Sequence, residues 1–141
     1  MNAILLSIKP KWAKLIYDGE KDIEWRKNIP SLTGHGGDIC SIDDTRAYLY
    51  ETNPISVVTG YIEICSGQRY SNPRSIPEDF LAAGKVPLDQ LEKYAAGKDL
   101  YGWEIDITYK FDFPKKLSDF RNWRGAILAK PPQSWCYLED R

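Results

Sequence analysis

The chain has few of the residues that build disulfide frameworks, metal centres and membrane spans. Its three cysteines, Cys40, Cys65 and Cys136, are widely spaced and form no CxxC pair, which argues against both a disulfide framework and a zinc site. The single histidine, His35, lies in a glycine-rich stretch, so we expect neither a histidine-based triad nor a multi-histidine metal site. The apolar run at Ala3–Lys9 is far shorter than the roughly 20 residues that cross a bilayer. We therefore predict no metal, no cofactor and no membrane contact.

An excess of charge of one sign is also absent. Nineteen basic and twenty acidic residues give a formal net charge of −1 and a pI near 5.9. Proteins that hold duplex nucleic acid by nonspecific electrostatics are usually strongly basic, so we expect any nucleic-acid contact in a local cleft. We expect no signal peptide, because the first residues run directly into the apolar segment, and the cysteine usage fits reduced thiols. A cytoplasmic setting is therefore expected.

The sequence does contain enough apolar and aromatic surface for one folded domain. It has 141 residues, of which 43% are hydrophobic and 13% aromatic, and no repeat or linker divides it. Strand-like and helix-like periods alternate, which predicts a single α+β domain over residues 1–141, with a helical insertion at about 66–97. The predicted elements are a strand at Ala3–Lys9, a helix from Pro10 to Gly19, strands at about Asp22–Arg26, Arg46–Glu51 and Ile55–Cys65, helices near Glu78–Ala83 and Leu88–Ala96, a strand around Trp103–Ile107, a short helix near Leu117–Phe120 and a last strand at Ser134–Leu138.

The segment that follows the first helix carries the most chemistry for its length. Strand alternation places Glu24 and Arg26 on one face and turns Ile23 and Trp25 toward the core. Lys21 has the opposite parity and joins the charged pair only from the turn before the strand. A Lys, a Glu and an Arg meeting there would make charge-assisted contacts with a polar ligand. From spacing alone, the simpler interpretation is a surface Glu–Arg pair contributing at most about 1 kcal/mol.

The chain resembles the ASCH domain family of the PUA-like superfamily. The segment Ser7–Pro10 and the helix with Trp12 match the family's opening, and Gly19, Lys21, Glu24 and Arg26 match all four fixed positions of its signature, G-x-K-x-x-E-x-R. The resemblance implies a small mixed β-barrel flanked by short helices. Four later segments fit the same pattern in the same order, at Tyr50–Pro54, Val57–Gly60, Tyr101–Ile105 and Pro131–Tyr137.

What the resemblance implies for function is a cleft lined by the signature residues. Members of the superfamily mostly bind RNA or read modified bases, so the implied ligand is RNA, another single-stranded nucleic acid or a modified nucleoside. In such a cleft, Lys21 and Arg26 would engage phosphate or carbonyl oxygens. Glu24 would accept hydrogen bonds from base N–H groups or hold the two cations in place. The other residues expected around the cleft are Ser7, Lys9, Trp12, Tyr50 and Thr52.

The resemblance also leaves an enzymatic alternative open. Some similar small bacterial proteins are amidohydrolases of acetylated cytidine, and other relatives are linked to RNA cleavage. A metal-independent hydrolase of either kind would use Lys21 and Glu24 as its catalytic pair. The amidohydrolases carry Thr at the position of Glu24, so the hydroxyl that they place there is absent. The carboxylate is also expected to raise the pKa of Lys21, which favours an anchoring ammonium over a neutral nucleophile and hence binding over catalysis.

Two further sets of residues are weaker candidates. Glu63 lies on a predicted strand, where it would either approach the cleft or face solvent. Arg121, Trp123 and Arg124 form a basic-aromatic patch, which would either touch a backbone phosphate or make a structural cation–π contact.

Overall fold

The computed structural model describes residues 2–30 and 45–139, so the stretch with His35 and Cys40 lies outside the described residues. Within those ranges, none of the helices is long and apolar enough to cross a membrane. The helices and strands are β1 (Asn2–Ile8), α1 (Pro10–Tyr17), β2 (Ile23–Arg26), β3 (Thr45–Glu51), β4 (Val57–Tyr70), α2 (Glu78–Gly84), α3 (Leu88–Ala95), β5 (Leu100–Lys115) and β6 (Trp135–Tyr137), with 3-10 turns at Pro73–Ser75 and Leu117–Asp119.

The first three elements begin and end close to where the sequence predicts them. Pro10 occupies the first turn of α1, where a helix needs no N–H donor and where the fixed φ of proline suits the helix. Gly19 adopts a φ of 78° just after the helix, a left-handed conformation that glycine tolerates best. The chain therefore leaves α1 sharply and enters β2.

Strands β4 and β5 are longer than predicted, because they form one extended antiparallel pair. The pairing runs from Val58 opposite Lys115 to Tyr70 opposite Leu100. The register of this pair shifts near Gly60 and again on both sides of Ile64. Such bulges break the two-residue alternation on which strand prediction depends, and the sequence pattern therefore underestimates both strands.

The six strands form one mixed sheet in the order β2-β5-β4-β3-β1-β6, with β1 and β3 parallel and the other neighbours antiparallel. Side chains connect its two edges. Arg26 of β2 donates hydrogen bonds to the carbonyl oxygen of Ser7 on β1 (2.9 Å) and to Oγ of Ser134 (3.1 Å), just before β6. The indole N–H of Trp135 donates to Oδ1 of Asn28 at 2.7 Å. The sheet is thus curled into a half-barrel, and the predicted α+β class is confirmed.

Alternation sorts the buried side chains into clusters on the two faces of the sheet. Ile4, Leu6 and Ile8 of β1 pack inside the curl with Ile16 of α1 and Trp103 of β5. Fully burying an aliphatic side chain contributes roughly 1.5–3 kcal/mol, so these residues fix α1 against the sheet.

A separate cluster joins β2 to the helices between β4 and β5. Ile23 and Trp25 are buried against Leu91 and Ala95 of α3, as the predicted parity of β2 requires. Packing of this face leaves Glu24 and Arg26 on the opposite face of β2, where Arg26 contacts Ser7 and Ser134.

Candidate functional site

A cavity of about 390 Å³ lies between the start of α1, strand β2 and helix α3. Its volume is at the lower end of the range found for small-molecule sites, roughly 300–1,000 Å³. The lining residues come from distant parts of the sequence and are Ser7, Lys9, Lys11, Trp12, Lys21, Glu24, Trp25, Arg26, Thr52, Val86, Gln90, Leu91, Tyr94 and Gln133.

The turn after α1 directs Lys21 into the molecule. The backbone N–H of Lys21 donates to the carbonyl of Leu15 at 3.1 Å, and the residue is only 1% exposed. Its Nζ donates to the carbonyl oxygen of Gly84 at 2.5 Å and lies 3.4 Å from Oε1 of Glu24. The same ammonium lies 5.3 Å from the ring centroid of Trp12. Lys21 is therefore a deeply enclosed cation with partners on three elements.

Glu24 connects Lys21 to Arg26, and these three residues are named the charged triad below. Oε1 of Glu24 faces Lys21, while Oε2 accepts hydrogen bonds from Nε (2.9 Å) and Nη2 (2.6 Å) of Arg26. With its bonds to Ser7 and Ser134, Arg26 uses four of its five N–H groups within the protein. The carboxylate thus holds both cations in place, one of the two roles expected for it.

Burial determines the protonation chemistry of the charged triad. Desolvation lowers the pKa of Lys21 and outweighs the opposing effect of the Glu24 carboxylate. Glu24 does raise this pKa as expected, but the cost of removing the ammonium from water exceeds the gain from one carboxylate, so the net shift of the pKa is downward. Burial alone would raise the pKa of Glu24, but Arg26 and Lys21 together lower it. Glu24 thus stays ionised and accepts a proton poorly.

Four more of the residues expected around the cleft line the cavity. Ser7 is buried, and its hydroxyl donates to the carbonyl of Pro132 at 2.7 Å. Lys9 is exposed at the start of α1, and Trp12 is half-buried one turn further on. Thr52 is attached to the end of β1 by its backbone N–H, which donates to the carbonyl of Ile8 at 2.9 Å. The structure brings all four together with the charged triad.

Tyr50 is not among the residues that line this cavity. Its buried side chain lies in a cluster with Tyr48 and Phe120, whereas Ala47 and Leu49 of the same strand face the inside of the curl. Alternation along β3 explains the difference, since residues of one parity share one face. Proximity in sequence to Thr52 is therefore a poor guide to the side on which Tyr50 lies.

The wall formed by α3 was missed from the sequence. Gln90 and Tyr94 line the cavity one helical turn apart, and Lys11 and Gln133 complete its edge. The spacing of Gln90 and Tyr94 places both on one face of α3. That signal is visible in the sequence, but nothing local indicates which element the face would meet.

The weaker candidates lie outside the cavity lining. Glu63 forms an ion pair with Arg46 at 2.6 Å. The side chain of Arg121 donates to the carbonyl of Gly125 at 2.9 Å, and the guanidinium of Arg124 lies 4.7 Å from the ring centroid of Trp123. These contacts fit structural roles. Within the described ranges, no group of three or more His, Cys, Asp or Glu side chains is arranged to hold a metal ion.

Comparisons with known proteins agree with this architecture. The family model of the ASCH domain matches residues 6–115. The solved structure of the ASCH protein from Zymomonas mobilis is 20% identical and superimposes with a TM-score of 0.72, covering 96% of this chain and 87% of that one.

Two mutants of the same Zymomonas mobilis protein match equally well. A serine-to-alanine mutant gives a TM-score of 0.74 at 20% identity over 96% of this chain and 87% of that one. A tyrosine-to-phenylalanine mutant gives a TM-score of 0.73 at 19% identity and covers 98% of this chain and 91% of that one. No curated protein matches at a significant level. At such identities these structures show the fold, which is the α+β PUA-like arrangement that the resemblance implied.

Proposed function

The chain belongs to the ASCH domain family, and from that premise we propose that it binds single-stranded RNA or a modified nucleoside in the cavity around Lys21, Glu24 and Arg26. The family is generally linked to RNA binding. The observation that carries the proposal is a cavity of about 390 Å³ lined by the charged triad together with aromatic side chains of different elements, among them Trp12 and Tyr94. A cytoplasmic location stays a prediction.

Each part of the cavity offers chemistry that suits a nucleobase. Aromatic rings stack on bases of any sequence, and Trp12 and Tyr94 supply two such rings. The amides of Gln90 and Gln133 combine donors and an acceptor, as the edges of bases do. Both oxygens of Glu24 are held by cations, so the carboxylate presents its remaining lone pairs in a fixed orientation.

Replacing Tyr94 tests the proposal without disturbing the core, because Tyr94 is 39% exposed. Loss of stacking on one base costs about 1–3 kcal/mol, so Tyr94→Ala is expected to weaken binding of a short single-stranded RNA roughly five- to 150-fold. Fluorescence anisotropy with a labelled oligonucleotide measures this. Phe113→Ala is the matched control, since Phe113 is 85% exposed and lies outside the cavity lining. Equal binding by parent, Tyr94→Ala and Phe113→Ala would contradict the proposed site.

A hydrolase that uses Lys21 and Glu24 is the second candidate, and one observation favours it. Burial lowers the pKa of Lys21, which increases the fraction of neutral amine available as a base or nucleophile. Against it, the lowered pKa of Glu24 makes this carboxylate a weak proton acceptor. Acetylcytidine and RNA incubated with concentrated protein distinguish the two functions by mass spectrometry. Product formation by the parent that is lost in Lys21→Met would establish the hydrolase. If the parent leaves both substrates intact, binding remains the proposed function.

A further inference from the structure

The charge of the cavity differs from that of the whole chain. Four of its lining residues are cations, namely Lys9, Lys11, Lys21 and Arg26, and Glu24 is the single carboxylate among the described lining residues. The cavity therefore has an excess of positive charge in a chain whose formal net charge is −1. Such a local excess attracts an anionic ligand and offers little to a neutral one.

The two inner cations already have partners in the protein. Lys21 donates to Gly84 and faces Glu24, and it is 1% exposed. Arg26 has four of its N–H groups engaged by Glu24, Ser7 and Ser134. Most of the donors of both side chains are thus engaged within the protein, and moving either side chain onto a phosphate would break buried contacts.

The two outer cations are differently placed. Lys9 and Lys11 are exposed at the beginning of α1, and neither forms an ion pair with a carboxylate of the described residues. Nζ of Lys11 lies over the ring of Trp12, 4.5 Å from its centroid, so an exposed positive charge sits against an aromatic ring of the cavity. A phosphate bound by this ammonium would leave the buried contacts of the charged triad intact.

We propose that the ligand carries a phosphate which Lys9 and Lys11 bind at the mouth of the cavity, while Lys21, Glu24 and Arg26 form its fixed inner end and face the base. The inference rests on the proposed function and refines it. It reverses the expected role of Lys21 and Arg26 as phosphate ligands. The ligand class is then a nucleoside monophosphate unit, either free or within a single strand of RNA, and an uncharged nucleoside is a poor ligand.

The test compares two double variants with the same change in net charge. Lys9→Gln/Lys11→Gln removes the proposed phosphate ligands, and Lys93→Gln/Lys98→Gln removes two exposed lysines outside the cavity lining. Affinities for a nucleoside, its 5′-monophosphate and a short single-stranded RNA are measured over a series of salt concentrations. Circular dichroism verifies that every variant is folded.

The first double variant is expected to bind RNA roughly tenfold more weakly, and the slope of log affinity against log salt should fall by about 0.7 for each phosphate that the variant no longer binds. Lys93→Gln/Lys98→Gln should bind RNA with the affinity and the salt slope of the parent. We also expect the parent to bind the monophosphate more tightly than the nucleoside. The monophosphate and RNA arms distinguish a free nucleotide from a strand as the natural ligand.

The outcomes separate the inference from the function on which it rests. If the parent binds RNA and Lys9→Gln/Lys11→Gln binds it with unchanged affinity and slope, the phosphate site is wrong while RNA binding stands. Equal binding of nucleoside and monophosphate by the parent would likewise overturn the inference alone. If the parent binds none of the three probes, the proposed function itself fails.

Discussion

Glu24 is the residue on which the charged triad depends. It is 5% exposed, and each of its oxygens faces a different cation. Isolated charges of this kind are very unfavourable away from water, so the three groups are stable only as a set. The carboxylate therefore stabilises the neighbourhood of β2 in the absence of any ligand.

Replacing Glu24 by the isosteric Gln should lower the free energy of unfolding by about 3–5 kcal/mol, because Lys21 and Arg26 would remain buried without a counter-charge. Urea denaturation measures the change. Glu63→Gln is the matched control, since its ion pair with Arg46 is more exposed and is expected to contribute about 1 kcal/mol or less. Similar losses of stability in the two variants would show that the charged triad has no special stabilising role.

Glu24→Gln should also change how the stability of the fold depends on pH, in a direction that follows from the lowered pKa of Glu24. A carboxyl whose folded-state pKa is depressed stabilises the fold above its ordinary pKa near 4.5 and loses that contribution as the pH falls through the folded value. Acidification below pH 4.5 should therefore destabilise the parent more steeply than Glu24→Gln. Parallel stability curves for the two proteins over this range would contradict the assignment.

The helical segment between β4 and β5 is connected to β2 through the end of α2. The carbonyl of Gly84 accepts the hydrogen bond of Lys21, and the N–H of Asp22 donates to the carbonyl of Ala83 at 2.9 Å. A Cβ added to Gly84 would meet the buried indole of Trp25. A side chain at position 84 would therefore force Trp25 or α2 to move.

Gly84→Ala should therefore destabilise the protein by about 1–3 kcal/mol, since either Trp25 or α2 must move to admit the methyl group. Hydrogen exchange should accelerate in α3 together with the fall in stability. Ala82→Ser changes an exposed position of the same helix and should stay within about 0.5 kcal/mol of the parent. Unchanged stability and unchanged exchange in Gly84→Ala would show that α2 is not held through this contact.

How far the sequence predicts these features depends on the range of the contacts involved. The beginning of α1 at Pro10 and the parity of Glu24 and Arg26 follow from neighbouring residues, and both are confirmed. A strand pattern shows that two faces exist and not which of them meets the cleft, so it does not specify that Tyr50 packs with Tyr48 and Phe120. The α3 wall with Tyr94 required packing between elements some 70 residues apart in sequence, which no local pattern specifies.

The chain combines a formal net charge near zero with a cavity that carries an excess of positive charge. Nineteen basic and twenty acidic residues give no general attraction for a polyanion, whereas the cavity concentrates cations around a space of about 390 Å³. Under the proposed function, a cavity of this size would take a base from a strand whose bases are free to leave the stack, and not from a duplex in which every base is paired.

Competition between single-stranded and duplex RNA of the same sequence tests this conclusion for the intact protein. With a labelled single strand bound to the parent, we expect unlabelled single strand to displace it at a concentration at least about tenfold lower than duplex, because the duplex has to unpair and unstack a base before it can enter the cavity. Raising the salt concentration should weaken binding of the single strand only slightly. The slope of log affinity against log salt should be small, because only one or two phosphates are contacted. If duplex competes as well as single strand, the RNA is bound by an outer surface, and the cavity serves some other ligand.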